Sequence, residues 1–338
     1  MSAIPPAGEW PRIIFGTSTL GNLYAAVEES TKKAIIAEWF RHQSKPVFVD
    51  SAGKYGAGLA LESMANHLRA LQVDPDSIVI SNKLGWKRIP LTTKEPTFEP
   101  GAWIGIENDA TQSISYEGIM ECFEQGNELL GEYRAQMLSV HDPDEYLEAA
   151  ITADQRAERL AHIKDGYKAL AELKEAGHAQ AIGVGAKDWR TIQMLHGEGI
   201  ALDWVMIANS YTIMRHPPAL RDFMNQLHSE GIAVINSAVY HGGFVTGGDF
   251  FDYRKVTEES DPDLFSWRRK FHALCQEFEI EPARAACQFA ISPDAVQSIA
   301  VSTSRPERVQ SLVELTSREV PAAFRKALKE EGLIEAPW

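Results

Sequence analysis

Short apolar, β-branched runs alternate with longer amphipathic stretches along the whole chain, and no other feature restricts the fold as much. Eight strand candidates stand out: Ile13–Thr17, Val47–Asp50, Ile78–Lys83, Gln136–His141, Ala181–Gly185, Trp204–Ala208, Ala233–Ser237 and Ser298–Val301. Helical patterns fill the gaps. One runs from a Ser30 cap to His42, and another spans Asp154 through Glu175 and is closed by Gly177. Strands that alternate with helices pair in parallel, because each connection must cross back over the sheet. Eight such units, with no composition shift and no Ser/Gly/Pro-rich linker between them, predict an α/β fold of one closed (β/α)8 TIM barrel, a single domain over residues 1–338. An open sheet with a second small domain is the alternative, since a length of 338 residues by itself allows two domains.

Composition narrows the range of partners. With 44% hydrophobic and 24% charged residues the chain can bury a large core. Its formal net charge of −14 repels nucleic acid and anionic membrane surfaces, so small-molecule chemistry is expected, with neither nucleic acid nor membrane as a partner. Met1 to Arg12 lacks the basic-then-apolar order of a signal peptide, and no apolar run approaches the ~18 residues of a membrane span. Cys122, Cys275 and Cys287 match no metal-ligand spacing. Reduced thiols in a cytoplasmic protein, with no disulfide and no metal, are therefore expected.

Two stretches break the regular spacing: Leu84–Ser115 after the third strand candidate and His241–Pro262 after the seventh. Both leave strand C-terminal ends, the face on which barrel enzymes build their active sites, and loops of this length are usually functional. The same face gathers four reactive side chains. The second strand ends at Asp50, with Tyr55 five residues on in a glycine-bounded loop; the third ends at Lys83 and the fourth at His141. Alone, Asp50 could cap a turn, Tyr55 could pack in a loop, Lys83 could be solvated and His141 could be a core imidazole. Together they form one machine. A phenol has a pKa of ~10 and needs a nearby cation to favour its phenolate. Lys83 can supply that cation, Asp50 can hold it, and a neutral His141 can orient a substrate oxygen beside Tyr55. Such a proton relay suits hydride transfer at a carbonyl or carbinol carbon, and since no side chain carries hydride, a nicotinamide cofactor is implied. Trp86 and Trp103 in the strand-three loop could stack on the apolar face of a sugar, or clasp a pyridoxal ring.

The run Asp50-Ser51-Ala52-Gly53-Lys54-Tyr55-Gly56 with Leu61-Glu62, then Ser81-Asn82-Lys83, then Val140-His141-Asp142, resembles the aldo-keto reductase superfamily over nearly the whole chain. Ser210-Tyr211-Thr212-Ile213-Met214, Asn236 through Phe244, and Val320 through Ile334 are similar to its aldose dehydrogenase branch, which takes L-fucose, D-threo-aldoses, L-galactose or pyridoxal. The resemblance implies a catalytic tetrad at Asp50, Tyr55, Lys83 and His141, with Tyr55 as general acid/base. It also implies that a sugar hemiacetal is oxidised to its lactone, or a carbonyl reduced in reverse. A pyridoxal or general aldehyde enzyme, and a non-catalytic NADP(H)-binding redox-sensing subunit, are the rival readings.

For the cofactor, the resemblance implies contacts from Asn209, Ser237, Gly242 and Gly243, and from Ser302, Arg305 and Arg308 at the adenosine 2′-phosphate. Arg308 matches a phosphate-binding arginine of the family, so NADP is expected, with NAD possible. The chain departs from the family in several places, including Ser302 where many NADP-specific members have a Lys and Leu312 where many have an Asn that binds adenine. Gly185-Ala186 replaces a Ser-Asn pair, Asn209 is the nearest amide to an expected Gln, and Ser237 replaces the Tyr that stacks on nicotinamide. Tyr240 or Phe244 could offer a substitute ring face or could belong to the core. Arg305 and Arg308 could equally be solvated helix charges.

Overall fold

A computed structural model describes residues 4–6, 8–317, 319–336 and 338. Eight parallel strands close into a barrel: β1 (Ile13–Gly16), β2 (Val47–Ala52), β3 (Ile78–Leu84), β4 (Met137–His141), β5 (Ala181–Ala186), β6 (Trp204–Ala208), β7 (Ala233–Ser237) and β8 (Val296–Val301). Each strand pairs with its neighbours in sequence, and β1 pairs with β8 to complete the ring. The predicted (β/α)8 architecture is thus the observed one. Strand ends differ from the sequence reading by two residues or fewer. At β4, for example, Gln136 lies just before the strand, its amide donating to the Ile80 carbonyl at 3.0 Å and its side chain accepting from the Ile80 amide at 2.7 Å.

Helices follow the strands and face outward. Glu29–His42, Leu59–Ala70, Tyr116–Leu130 and Ala153–Glu175 succeed β1 to β4, and Trp189–Gly197 and Pro218–Ser229 succeed β5 and β6. Polar side chains set several of their starts: the Ser115 hydroxyl accepts from the Gly118 amide and the Thr152 hydroxyl from the Gln155 amide. Ser30 is not such a cap, because the first helix already begins at Glu29 after an extended Glu28. The two expected loops are also more ordered than their glycines and prolines suggest. Trp86–Pro90 and Asn108–Gln112 form an antiparallel hairpin within the first, and Phe250–Phe251 pairs with Arg254–Lys255 in the second.

Two packed layers follow from the period-two alternation of side chains along a strand. Alternate positions such as Val47, Val49, Ile78, Ile80, Leu138 and Val140 join the large cluster between strands and helices. Their neighbours Ile14, Phe48, Val79, Met137, Trp204, Met206 and Ile235 fill the barrel interior, with Trp10 packed on Phe48 from below. The cysteines are free and buried. Among the described residues no helix is long and apolar enough to cross a membrane, and no side-chain group is arranged to hold a metal ion.

Trp204 is fully buried inside the barrel, and its indole occupies the space that a side chain at Gly183 on the next strand would need. A Cβ there would lie 2.5 Å from Trp204 Cδ2. Gly183→Ala should therefore destabilise the protein by about 1–3 kcal/mol through overpacking. A lowered urea midpoint at unchanged slope is the expected result, and an unchanged midpoint would show that the interior has room to spare.

Candidate active site

The alternation that fills the barrel also decides what stands at its mouth. Counting by twos from interior Phe48 reaches Asp50; from Val79 the count passes Ser81 to Lys83, and from Met137 it passes Ser139 to His141. Parallel registry places these strand ends side by side, with Asp50 opposite Ser81, Lys83 opposite Ser139 and His141 opposite Gly185. Tyr55 comes from the turn after β2. That turn is pinned by close backbone approach: Gly56 has φ +61°, and a Cβ there would lie 2.4 Å from the Gly21 carbonyl oxygen.

The four side chains line one cleft of about 640 Å³. Lys83 Nζ donates to Asp50 Oδ2 at 2.6 Å and to the Ser51 carbonyl at 3.2 Å, while the Ser81 hydroxyl donates to the other Asp50 oxygen. The same Nζ lies 4.6 Å from the centre of the Tyr55 ring. Tyr55 is flanked by His141, edge-on at 5.8 Å, and by Trp103, stacked at 5.9 Å. Burial pulls the Lys83 ammonium below its ordinary pKa, and Asp50 opposes that pull. Burial holds His141 well below the usual imidazole value, so it is neutral near pH 7.

The phenol behaves differently from the expectation that Lys83 favours its phenolate. Burial drives Tyr55 well above 10, and Asp50, Tyr253, Asp142 and Glu99 push the same way. The polypeptide alone thus keeps Tyr55 as a protonated acid.

A second charged network borders the first. Lys54 Nζ sits 2.6 Å from Asp142 Oδ2, 2.8 Å from Glu99 and 3.1 Å from Glu145. Lys187 pairs with Glu145 and Glu99 and lies over the Tyr253 ring at 4.2 Å. Burial alone would favour neutral lysines, yet Asp142 and Glu99 at Lys54, and Tyr253 and Asp142 at Lys187, raise both ammonium pKa values. Burial would raise the pKa of Asp142 too, but its cationic neighbours hold it far below the ordinary carboxylate value.

The same cleft is also lined by Asn209, Ser237, Gly242, Gly243, Ser302 and Arg308. All six are residues that the sequence singles out. Two further expectations need correction. Trp86 does not reach the cleft: its ring packs on Phe98 at 5.8 Å and lies under the Lys54 ammonium at 4.5 Å, within a small cluster beneath the hairpin. Arg305 is exposed and absent from the lining, because it stands in extended backbone before the 3-10 turn Pro306–Arg308 and so does not share a helical face with Arg308. Trp103 does line the cleft, with its indole N–H donated to Glu99. Of the two possible substitute rings, Tyr240 lines the cleft, whereas Phe244 is buried against Phe251 and Phe265.

Sequence reasoning missed Lys54, Asp142, Glu99, Lys187 and Tyr253 as site residues. Lys54 and Asp142 were legible as immediate neighbours of Tyr55 and His141. Glu99 and Tyr253 hang from long loops whose placement over the barrel no short-range pattern encodes.

The cleft fits a dinucleotide. Asn209 Oδ1 is buried and has no hydrogen-bond partner within the protein, so it is an open acceptor for an amide N–H. Gly243 has φ +94° and open space around it, which lets a ligand approach the backbone closely.

The sequence profile of the Aldo/keto reductase family matches residues 12–330. Pyridoxal 4-dehydrogenase of Microbacterium luteolum is 27% identical over 334 residues, covering 94% of this chain and 93% of that protein. D-threo-aldose 1-dehydrogenase of a Pseudomonas species is 24% identical over 340 residues, covering 97% and 95%. Among solved structures, an aldo-keto reductase from Bacillus halodurans in its holo form superposes with a TM-score of 0.69 at 16% identity, covering 100% of this chain and 98% of that one. Glycerol dehydrogenase of Gluconobacter oxydans gives 0.66 at 14%, covering 94% and 90%. At those identities the structural likeness speaks for the fold alone. The profile match over most of the chain and the barrel that carries it make the chain a member of the aldo/keto reductase family, an NAD(P)-dependent oxidoreductase.

Proposed function

We propose that the protein oxidises an aldose of the L-fucose or L-galactose type to its lactone, or reduces a carbonyl in reverse, with NADP as the preferred cofactor. The observation that supports this best is the meeting of Asp50, Lys83, Tyr55 and His141 in one cleft. When bound, a nicotinamide cofactor supplies the acceptor or donor of hydride, and Asn209, Ser237, Gly242, Gly243, Ser302 and Arg308 would hold it. The chain's own side chains handle the proton. Tyr55 gives its phenolic proton to the carbonyl oxygen during reduction and recovers it from the hydroxyl during oxidation. His141, neutral and buried, offers one ring N–H to orient that oxygen. Lys83, held by Asp50, stabilises the transient phenolate. Trp103, stacked on Tyr55, forms a wall for the apolar face of the substrate. A second reading, oxidation of pyridoxal, is supported by the 27% identity to a pyridoxal dehydrogenase and by that same aromatic wall. Membership of an enzyme family favours both over a non-catalytic sensing subunit.

Tyr55→Phe keeps the ring and removes the proton, so turnover should fall by ~10²–10⁴-fold. Cofactor affinity, followed by fluorescence titration, should change by less than about threefold in this variant, as the free energies of general acid/base loss and of binding are separable. Retained turnover would remove Tyr55 from this role. The pH profile offers a second test. Reduction needs the phenol and should persist until the pH rises through its elevated pKa, whereas oxidation needs the phenolate and should accelerate with pH. Lys83→Met removes the stabilising cation and should displace the rise of any residual oxidation to higher pH. A profile in the same place would break the coupling. For cofactor choice, Arg308→Ala should weaken NADP⁺ by about 10–100-fold, the worth of a charged hydrogen bond, and leave NAD⁺ nearly unaffected. Equal losses in calorimetric titrations with the two cofactors would remove Arg308 from the phosphate site.

A further inference from the structure

Three features describe Asp142, the residue that follows His141. It lines the cleft, although only 2% of its surface is exposed. Its backbone has φ 53°, a left-handed conformation that Asp adopts more readily than most side chains, here at the cap of the helix Pro143–Glu148. Its Oδ1 stands 3.6 Å from His141 Nε2, while the other oxygen is held by Lys54. A carboxylate is thereby fixed beside the imidazole, with one oxygen outside the Lys54 ion pair, in the cleft that both residues line.

The charges around it leave no cation free for a ligand. Lys54 is enclosed by Asp142, Glu99 and Glu145, and Lys187 by Glu145, Glu99 and the Tyr253 ring. Two lysines therefore face three carboxylates, an excess of one negative charge, in a poorly solvated enclosure where such an imbalance is felt strongly.

We propose that Asp142 determines substrate specificity at this site, accepting a hydrogen bond from a hydroxyl adjacent to the reacting carbon and excluding substrates that carry a phosphate or carboxylate nearby. The preferred substrates are neutral hydroxy-aldehydes and sugars, unphosphorylated. This rests on the oxidoreductase reading above and refines its substrate class. A hydroxyl donating to a charged acceptor is favoured over water by more than a neutral pair is, and an unmatched anion beside a buried carboxylate meets both repulsion and desolvation.

Three small carbonyl compounds separate these effects: propionaldehyde, glyceraldehyde, which adds hydroxyls, and glyceraldehyde 3-phosphate, which adds an anion. Reduction of each is followed at 340 nm with NADPH at pH 7. The wild-type protein should show kcat/KM for glyceraldehyde at least tenfold above propionaldehyde and about a hundredfold above the phosphate ester. Asp142→Asn keeps the shape and tolerates the left-handed backbone, but loses the charge. It should narrow both ratios by about tenfold, whatever happens to the absolute rates. A loss of stability alone would scale all three substrates together and leave the ratios in place. Equal wild-type efficiencies for the three compounds, or ratios that survive Asp142→Asn, would overturn the proposal while the oxidoreductase reading stands. Absence of turnover for all three while an L-fucose- or L-galactose-type aldose is still oxidised would overturn this proposal alone, and absence of aldose oxidation with both NAD⁺ and NADP⁺ would overturn the aldose reading on which it rests.

Discussion

The buried ion pair between Lys83 and Asp50 is the constraint on which the site depends. Neither charge could stand alone at the top of this barrel, because an unpaired ion in such a place costs several kcal/mol. The pair at 2.6 Å, completed by the Ser81 hydroxyl and the Ser51 carbonyl, ties β2 to β3 at the level where the cleft opens. It also places a cation against the Tyr55 ring. Each partner thus satisfies the other and prepares the phenol, so that a folding requirement and a chemical one are met by the same two side chains.

The second network extends this logic outward. Lys54 comes from the Tyr55 turn, Asp142 and Glu145 follow β4, Lys187 follows β5, Glu99 belongs to the hairpin loop after β3, and Tyr253 to the loop after β7. Charges and rings from five separate connections converge, and their mutual satisfaction fixes the long loops over the barrel mouth. Tyr24, stacked on Phe250 at 4.1 Å, joins the connection after β1 to the one after β7 across the cleft. Burial drives the phenol pKa of Tyr253 up to about 12, against the pull of Lys187.

Much of the barrel and its mouth is legible in the residue pattern itself. The period-two alternation that marks Phe48 as interior also aims Asp50 inward, and the same count reaches Lys83 and His141. Strand positions with strict parity are therefore readable from sequence together with the side of the strand on which their side chains stand. Trp86 and Arg305 show where that legibility stops. Both lie beyond the regular strand parity, where the direction of a side chain depends on a hairpin or on the residue at which a helix begins. Trp86 and Trp103 read alike as loop aromatics, but only the folded arrangement distinguishes a ring under Lys54 from a ring against Tyr55. The electrostatic outcome is hidden for a related reason. One cation beside a phenol suggests a lowered pKa, whereas the carboxylates that reverse the sign arrive from elements distant in sequence.

At the centre of this account is a proton that burial and the nearby carboxylates hold on Tyr55, and that the positive charge of an oxidised nicotinamide bound beside it would favour releasing. Difference absorbance near 295 nm between the wild-type protein and its Tyr55→Phe variant, followed against pH, isolates this one phenol. The expected result is no extra ionisation from Tyr55 at or below pH ~10, the ordinary value for a tyrosine, and a shift to lower pH when oxidised nicotinamide cofactor is added. A phenolate that forms below pH ~10 in the protein alone, or a transition that ignores the cofactor, would contradict it.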